Sequence, residues 1–124
     1  MKKVVHTQMA PQAIGPYSQA IVANGLLFVS GQIPVNPVDG SIDPDVKKQT
    51  EQSLANVKAI LAAEGKTVAD VVKTTVFIKN MNDFAAVNEV YGSVFNVNPP
   101  ARSCVEVARL PKDVLVEIEV IAVL

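Results

Sequence analysis

Histidine and cysteine each occur once in this 124-residue chain, as His6 and Cys104. A lone cysteine cannot close an internal disulfide. A lone histidine with no cysteine or carboxylate cluster beside it offers no zinc or iron site of ordinary spacing, so no metal is expected. A Ser-His-Asp or Cys-His relay would have to use His6, which sits in a short strand-like run near the N-terminus and reads as a surface or edge-strand residue. The chain also has no surplus of either charge: 11 basic residues face 12 acidic ones, for a net of −1. Its basic residues are scattered, with no run that would track a phosphate backbone, so nucleic acid is not an expected partner. No uninterrupted apolar stretch reaches the roughly 18 residues a membrane span requires, and Met1-Lys2-Lys3-Val4-Val5-His6 does not open a signal peptide. The expectation is a cytoplasmic protein without a membrane partner.

What is present is core-forming material. Apolar residues make up 49% of the chain, enough for one domain over residues 1–124. Val4 to Thr7 reads as a short strand. Ser18 to Val22 and Leu26 to Ser30 read as a hairpin about Ala23-Asn24-Gly25, whose Asn-Gly pair tolerates positive φ. After a Pro/Gly-rich loop, Asp43 is the predicted N-cap of a helix with Pro44 in its first position. Val46, Thr50, Leu54, Val57 and Leu61 then recur at helical spacing until Gly65. Val71 to Lys79 is rich in β-branched residues and predicts a central strand; Asp83 to Phe95 predicts a second helix burying Phe84, Val87, Tyr91, Val94 and Phe95. With the strand at Ala101 these form a β-α-β unit of parallel strands. One mixed sheet with two helices on one face follows, an α+β fold, and the apolar opposite face calls for a cover that oligomerisation would supply.

Two strand-like runs near the end carry the polar groups that invite chemistry. Pro100-Ala101-Arg102-Ser103-Cys104-Val105-Glu106-Val107 and Val114-Leu115-Val116-Glu117-Ile118-Glu119-Val120-Ile121 alternate charged with small or apolar residues, which predicts charges gathered on one sheet face. Arg102 reads either as an ion-pair partner of Glu117 or Glu119 or as a two-pronged grip for a small carboxylate. Glu117 and Glu119 share a face and are not separable by pattern. Cys104, flanked by strand residues and far from histidine, reads as a small buried hydrophobe rather than a nucleophile. Tyr17, after Gly15-Pro16, reads as a ring over a turn, and Asn88 as a helix position facing solvent or a ligand. Gly31 lacks a Cβ, so a ligand could approach its backbone.

Ile14-Gly15-Pro16-Tyr17-Ser18-Gln19, Val29-Ser30-Gly31-Gln32-Ile33-Pro34, Val72-Lys73-Thr74-Thr75-Val76-Phe77-Ile78 and Pro100 to Glu106 together resemble, in order and spacing over nearly the whole chain, the RidA/YjgF family of reactive-intermediate deaminases. The resemblance implies a chorismate-mutase-like fold, a homotrimer with ligand pockets between subunits, and hydrolysis of 2-imino acids to 2-keto acids and ammonia without a cofactor. It assigns Arg102 to the ligand carboxylate and Glu117, in preference to Glu119, to the attacking water. Tyr17, Ser30, Gly31, Asn88 and the backbone of Cys104 would border the ligand. The segment before Pro100 is shorter than in many members and lacks their aromatic residue, which bears on substrate preference. The rival reading is a non-enzymatic trimer that binds small carboxylates or regulates other proteins, since fold does not fix function.

Overall fold

A computed structural model describes residues 1–124. Six strands and two α-helices run in the order β1 (Lys3–Val5), β2 (Ala20–Ala23), β3 (Leu26–Gln32), α1 (Val46–Ala63), β4 (Val71–Ile78), α2 (Phe84–Val94), β5 (Ala101–Glu106) and β6 (Val116–Val123). The strands form one mixed sheet in the order β1-β2-β3-β6-β4-β5. Only β4 and β5 pair in parallel, joined through α2 as the β-α-β pattern predicts. The fold is α+β, and no helix is long and apolar enough to cross a membrane.

Local chemistry accounts for the joints. Asn24 and Gly25 take φ of 53° and 73°, the left-handed pair a two-residue turn needs if its twist is to match the strands on either side. Helix α1 starts two residues later than predicted. Asp45 is its N-cap, its carboxylate accepting from the Lys48 N–H at 3.0 Å, while Asp43 accepts from the Asp45 N–H at 2.9 Å. Either aspartate could cap; the choice follows from Gln49, whose side-chain amide donates to the Asp43 carbonyl at 2.8 Å and holds residue 43 outside the first turn. At the other end Gly65 has φ 68°, and the Gly65 and Lys66 N–H groups bond back to Ala62 and Leu61, closing the last turn where predicted. Helix α2 is preceded by a 3-10 turn at Met81–Asp83 and buries Val87 and Tyr91, with Phe95 just beyond its end. Phe84 and Val94, predicted to be buried, are only half-buried.

The core lies between one sheet face and the helices. Val76 and Ile78 of β4, Val116, Ile118 and Val120 of β6, and Leu27 and Val29 of β3 form one buried cluster with Leu54, Val57, Ile60 and Leu61 of α1. Each such side chain contributes about 1.5–3 kcal/mol on burial. Pattern reading missed that α1 also buries Gln49, Ser53 and Asn56. Asn56 donates to the carbonyls of Ile33 and Val35 at 3.1 and 3.0 Å, and Gln49 accepts from the Leu115 N–H at 2.8 Å. These amides fasten the loop after β3 and the entry to β6 to the helix, fixing both flanks of the site described next. On the opposite sheet face Phe28, Val105 and Val123 remain 40–44% exposed.

Candidate functional site

Arg102 lies on the edge strand β5, directly opposite Thr74 of β4. Thr74 is fully buried beneath α2, so Arg102 points to the helix side of the sheet. Phe84, Asn88 and Tyr91, spaced i, i+4, i+7 along α2, meet it there. The guanidinium carbon is 4.8 Å from the Tyr91 ring centre and 5.5 Å from that of Phe84. Nη1 donates to the Asn88 side-chain oxygen at 2.6 Å. The ion pairs of the chain join Lys3 to Glu64, Lys47 to Glu89 and Arg109 to Asp113, and none involves Arg102. The reading of Arg102 as a partner of Glu117 or Glu119 is therefore set aside. Cys104 sits on the same side, opposite Val76. Partial burial pushes its thiol above the ordinary cysteine range, with the Arg102 charge offsetting part of the effect. A thiol held protonated is a poor nucleophile.

Glu117 faces the other way. Its neighbours Val116 and Ile118 are buried against the helices, so strand alternation turns Glu117 onto the bare face, opposite Phe77. Burial raises its carboxyl above the usual range, and the nearby Glu119 charge pushes in the same direction. Glu119 shares that face but is exposed. Gly31 is the seat of Glu117: a Cβ at residue 31 would lie 2.0 Å from Oε2 and 2.8 Å from Cδ. The missing side chain thus makes room for a carboxylate of the protein itself, where the sequence reading reserved that space for a ligand. Ser30 donates its hydroxyl to the Ser18 carbonyl at 2.6 Å. The Tyr17 ring lies over Gly15, and the Tyr17 hydroxyl accepts from the Ile14 N–H at 3.4 Å. Ile14, Tyr17, Ser30, Gly31, Pro111 and Glu117 line a cleft of about 270 Å³.

The predicted residues therefore fall into two sets. Arg102, Asn88 and Cys104 gather beneath α2, whereas Tyr17, Ser30, Gly31 and Glu117 gather on the bare face. This corrects the expectation that Arg102 and Glu117 share a face. Alternation fixes orientation within a strand, but β5 and β6 are separated by residues 107–115, where Lys112 and Asp113 both take φ 56° and the phase is reset. Sequence reasoning assigned Phe84 and Tyr91 to the core alone. The signal it passed over was the polar Asn88 between them on one helical stripe. Three or more His, Cys, Asp or Glu side chains converge nowhere in a way that could hold a metal ion.

The α+β sheet thus carries a cradled cation on its edge strand and a partly desolvated carboxylate on its bare face. The endoribonuclease L-PSP family model matches residues 7–124. A 2-iminobutanoate/2-iminopropanoate deaminase of Escherichia coli K12 is 57% identical over 126 residues, covering 99% of this chain and 98% of that protein. A RutC family protein of Haemophilus influenzae is 58% identical, covering 99% and 98%. Among solved structures, E. coli TdcF with bound serine is 54% identical with a TM-score of 0.95, and the E. coli YjgF gene product is 56% identical with a TM-score of 0.94; each comparison covers 98% of both chains. The chain belongs to the endoribonuclease L-PSP family, also called YjgF/RidA.

Proposed function

We propose that this protein hydrolyses reactive 2-imino acids such as 2-iminopropanoate and 2-iminobutanoate to 2-keto acids and ammonia. The observation that carries this reading is Arg102, half-buried, lying over two aromatic rings and tethered by a neutral amide, with no carboxylate of its own chain beside it. A cation so held is a seat for a small carboxylate. The E. coli deaminase supports a 2-imino acid as the owner of that carboxylate.

With the carboxylate on Arg102, the adjacent imine carbon faces a water held by Glu117. The water oxygen bonds to the carbon of the protonated imine, the C=N pair moves onto nitrogen, and Glu117 takes a proton from the water. Glu117 then returns that proton to nitrogen. The C–N bond breaks as the C=O bond forms, ammonia departs, and the hydroxyl proton passes to solvent. A carboxyl whose proton affinity is raised toward neutrality suits both halves of this exchange. Tyr17, Ser30, Gly31 and the backbone of Cys104 border the ligand. Rapid removal of the imine and its enamine tautomer protects pyridoxal-phosphate enzymes from covalent damage.

Because Arg102 and Glu117 occupy opposite sheet faces, one protomer cannot offer both to one molecule. The reading therefore puts the substrate in a cleft between protomers of a homotrimer, Arg102 from one and Glu117 from its neighbour. The exposed apolar face supports such packing. A purely binding role would need Arg102 alone, and the desolvated Glu117 favours the hydrolase. Ribonuclease chemistry, which the family description names, would call for an acid–base pair beside a cationic track; His6 is exposed and bonded to Gln12, apart from any such track.

The test couples a threonine dehydratase to the protein and follows keto-acid formation. Wild type accelerates the reaction, and Arg102→Ala and Glu117→Ala do not. Dissociating and reassociating the two variants together restores about one quarter of wild-type sites at equal amounts if the residues come from different protomers. No acceleration by wild type sinks the activity; no recovery on mixing sinks the shared site.

A further inference from the structure

We propose that Tyr91, anchored by Thr74, is a positioning residue that turns the Nε–Nη2 edge of Arg102 toward the ligand carboxylate. The inference rests on the carboxylate-binding reading above. The Tyr91 hydroxyl and Thr74 Oγ1 are 2.7 Å apart, both residues are buried, and Thr74 is the residue paired with Arg102 across β4 and β5. The register that sets the arginine backbone thus also sets the ring on which its head rests. Burial holds the Tyr91 phenol above the ordinary tyrosine range, so it stays neutral beside Thr74, and either hydroxyl can donate to the other. From behind, the Phe95 ring packs at 4.7 Å between centres and 40° between planes, so the tyrosine has little freedom to tilt.

The guanidinium is held at two points. Its central carbon lies over the Tyr91 ring, 4.8 Å from the ring centre, where the ring's negative face attracts the charge. Its Nη1 is bonded to Asn88, while Nε and Nη2 make no hydrogen bond within the chain. Those two nitrogens form one of the paired edges by which arginine clasps a carboxylate. Asn88 thereby acts through Arg102, as a tether, instead of touching the ligand. A side chain on a flexible stem would otherwise sample many head orientations, each mismatched to a planar carboxylate.

The experiment titrates 2-ketobutanoate, the expected product, into the full-length protein by calorimetry, alongside KM, kcat and the nuclear-magnetic-resonance order parameter of Arg102 Nε. Tyr91→Phe keeps the ring but loses the hydroxyl that Thr74 holds, so it stays within about threefold of wild type in Kd while the Nε order parameter falls, as in Thr74→Val. Tyr91→Leu removes the face and weakens Kd about 2- to 30-fold, raising KM in step and leaving kcat nearly unchanged, with a lower Nε order parameter. A folded Tyr91→Leu protein with wild-type Kd and order parameter overturns the proposal. Should that variant fail to fold, Thr74→Val serves, because it leaves the ring but frees its anchor; an unchanged Nε order parameter there is equally fatal. If wild type itself binds no keto acid, the functional reading fails separately, and the positioning claim is decided by the order parameters.

Discussion

Replacing Gly31 with alanine probes the contact between β3 and β6 that the site depends on. The added methyl would sit 2.0 Å from Glu117 Oε2, 2.8 Å from Cδ and 3.1 Å from Cγ. Ordinary carbon contacts lie at about 3.5 Å, so the carboxylate must retreat by roughly 1.5 Å. It can do so, because a cleft of about 270 Å³ adjoins it. The fold therefore survives. Overpacking of this kind costs about 1–3 kcal/mol, and the loss of unfolded-chain freedom on going from glycine to alanine returns about 0.4–1 kcal/mol. A net loss near 1 kcal/mol lowers Tm by roughly 4 °C. Activity falls much further, since a displacement of about 1 Å in a catalytic group is worth on the order of 100-fold. The assay is keto-acid formation from a dehydratase-generated imine, run beside Glu117→Gln and the double variant. If the glycine acts only through Glu117, the double variant is no slower than Glu117→Gln alone. Full activity in Gly31→Ala, or additive losses in the double variant, would refute the reasoning.

Arg102→Lys keeps the charge and loses the two-pronged edge, so kcat/KM drops by about 100-fold or more with no loss of folded structure by circular dichroism. The pH–rate profile has an acid limb above the ordinary glutamate range: Glu117 must be ionised to accept the water proton, so the rate falls as pH drops through its raised value, and Glu117→Gln removes the limb. Stability runs the opposite way. A carboxyl whose proton is held more tightly in the folded state contributes most at low pH, and that contribution is lost as pH rises from the unfolded value through the folded one; denaturant melts of wild type against Glu117→Gln should diverge over that window. Asp45→Ala removes the cap on the Lys48 N–H and costs about 1 kcal/mol by denaturant titration, with kcat unchanged. Phe28→Glu places a charge in the exposed apolar face, and light scattering should report a smaller species whose deaminase activity is lost with the assembly.

Much of the architecture was legible because the signals behind it are local. Asn24-Gly25 requires a tight turn whatever surrounds it, Gly65 ends a helix by its own φ, and the apolar spacing from Thr50 to Leu61 marks one helical face. The start of α1 was less legible. Asp43 and Asp45 are chemically equivalent caps, and a hydrogen bond from Gln49, formed only once the helix exists, selects between them.

The amino-acid order by itself determined that this chain makes an α+β sheet with helices on one side, and that Glu117 and Glu119 share an orientation, because an alternation of two relates residues along a single strand. Tertiary structure alone decided that Arg102 turns the other way. Phase is not transmitted through the left-handed residues Lys112 and Asp113, so the relative facing of two strands depends on pairing with β4 rather than on the run of residues between them. It likewise decided which carboxylate is desolvated, because Gly31 lies 86 positions from Glu117 in the chain, yet in space the room its missing side chain leaves is filled by the Glu117 carboxylate.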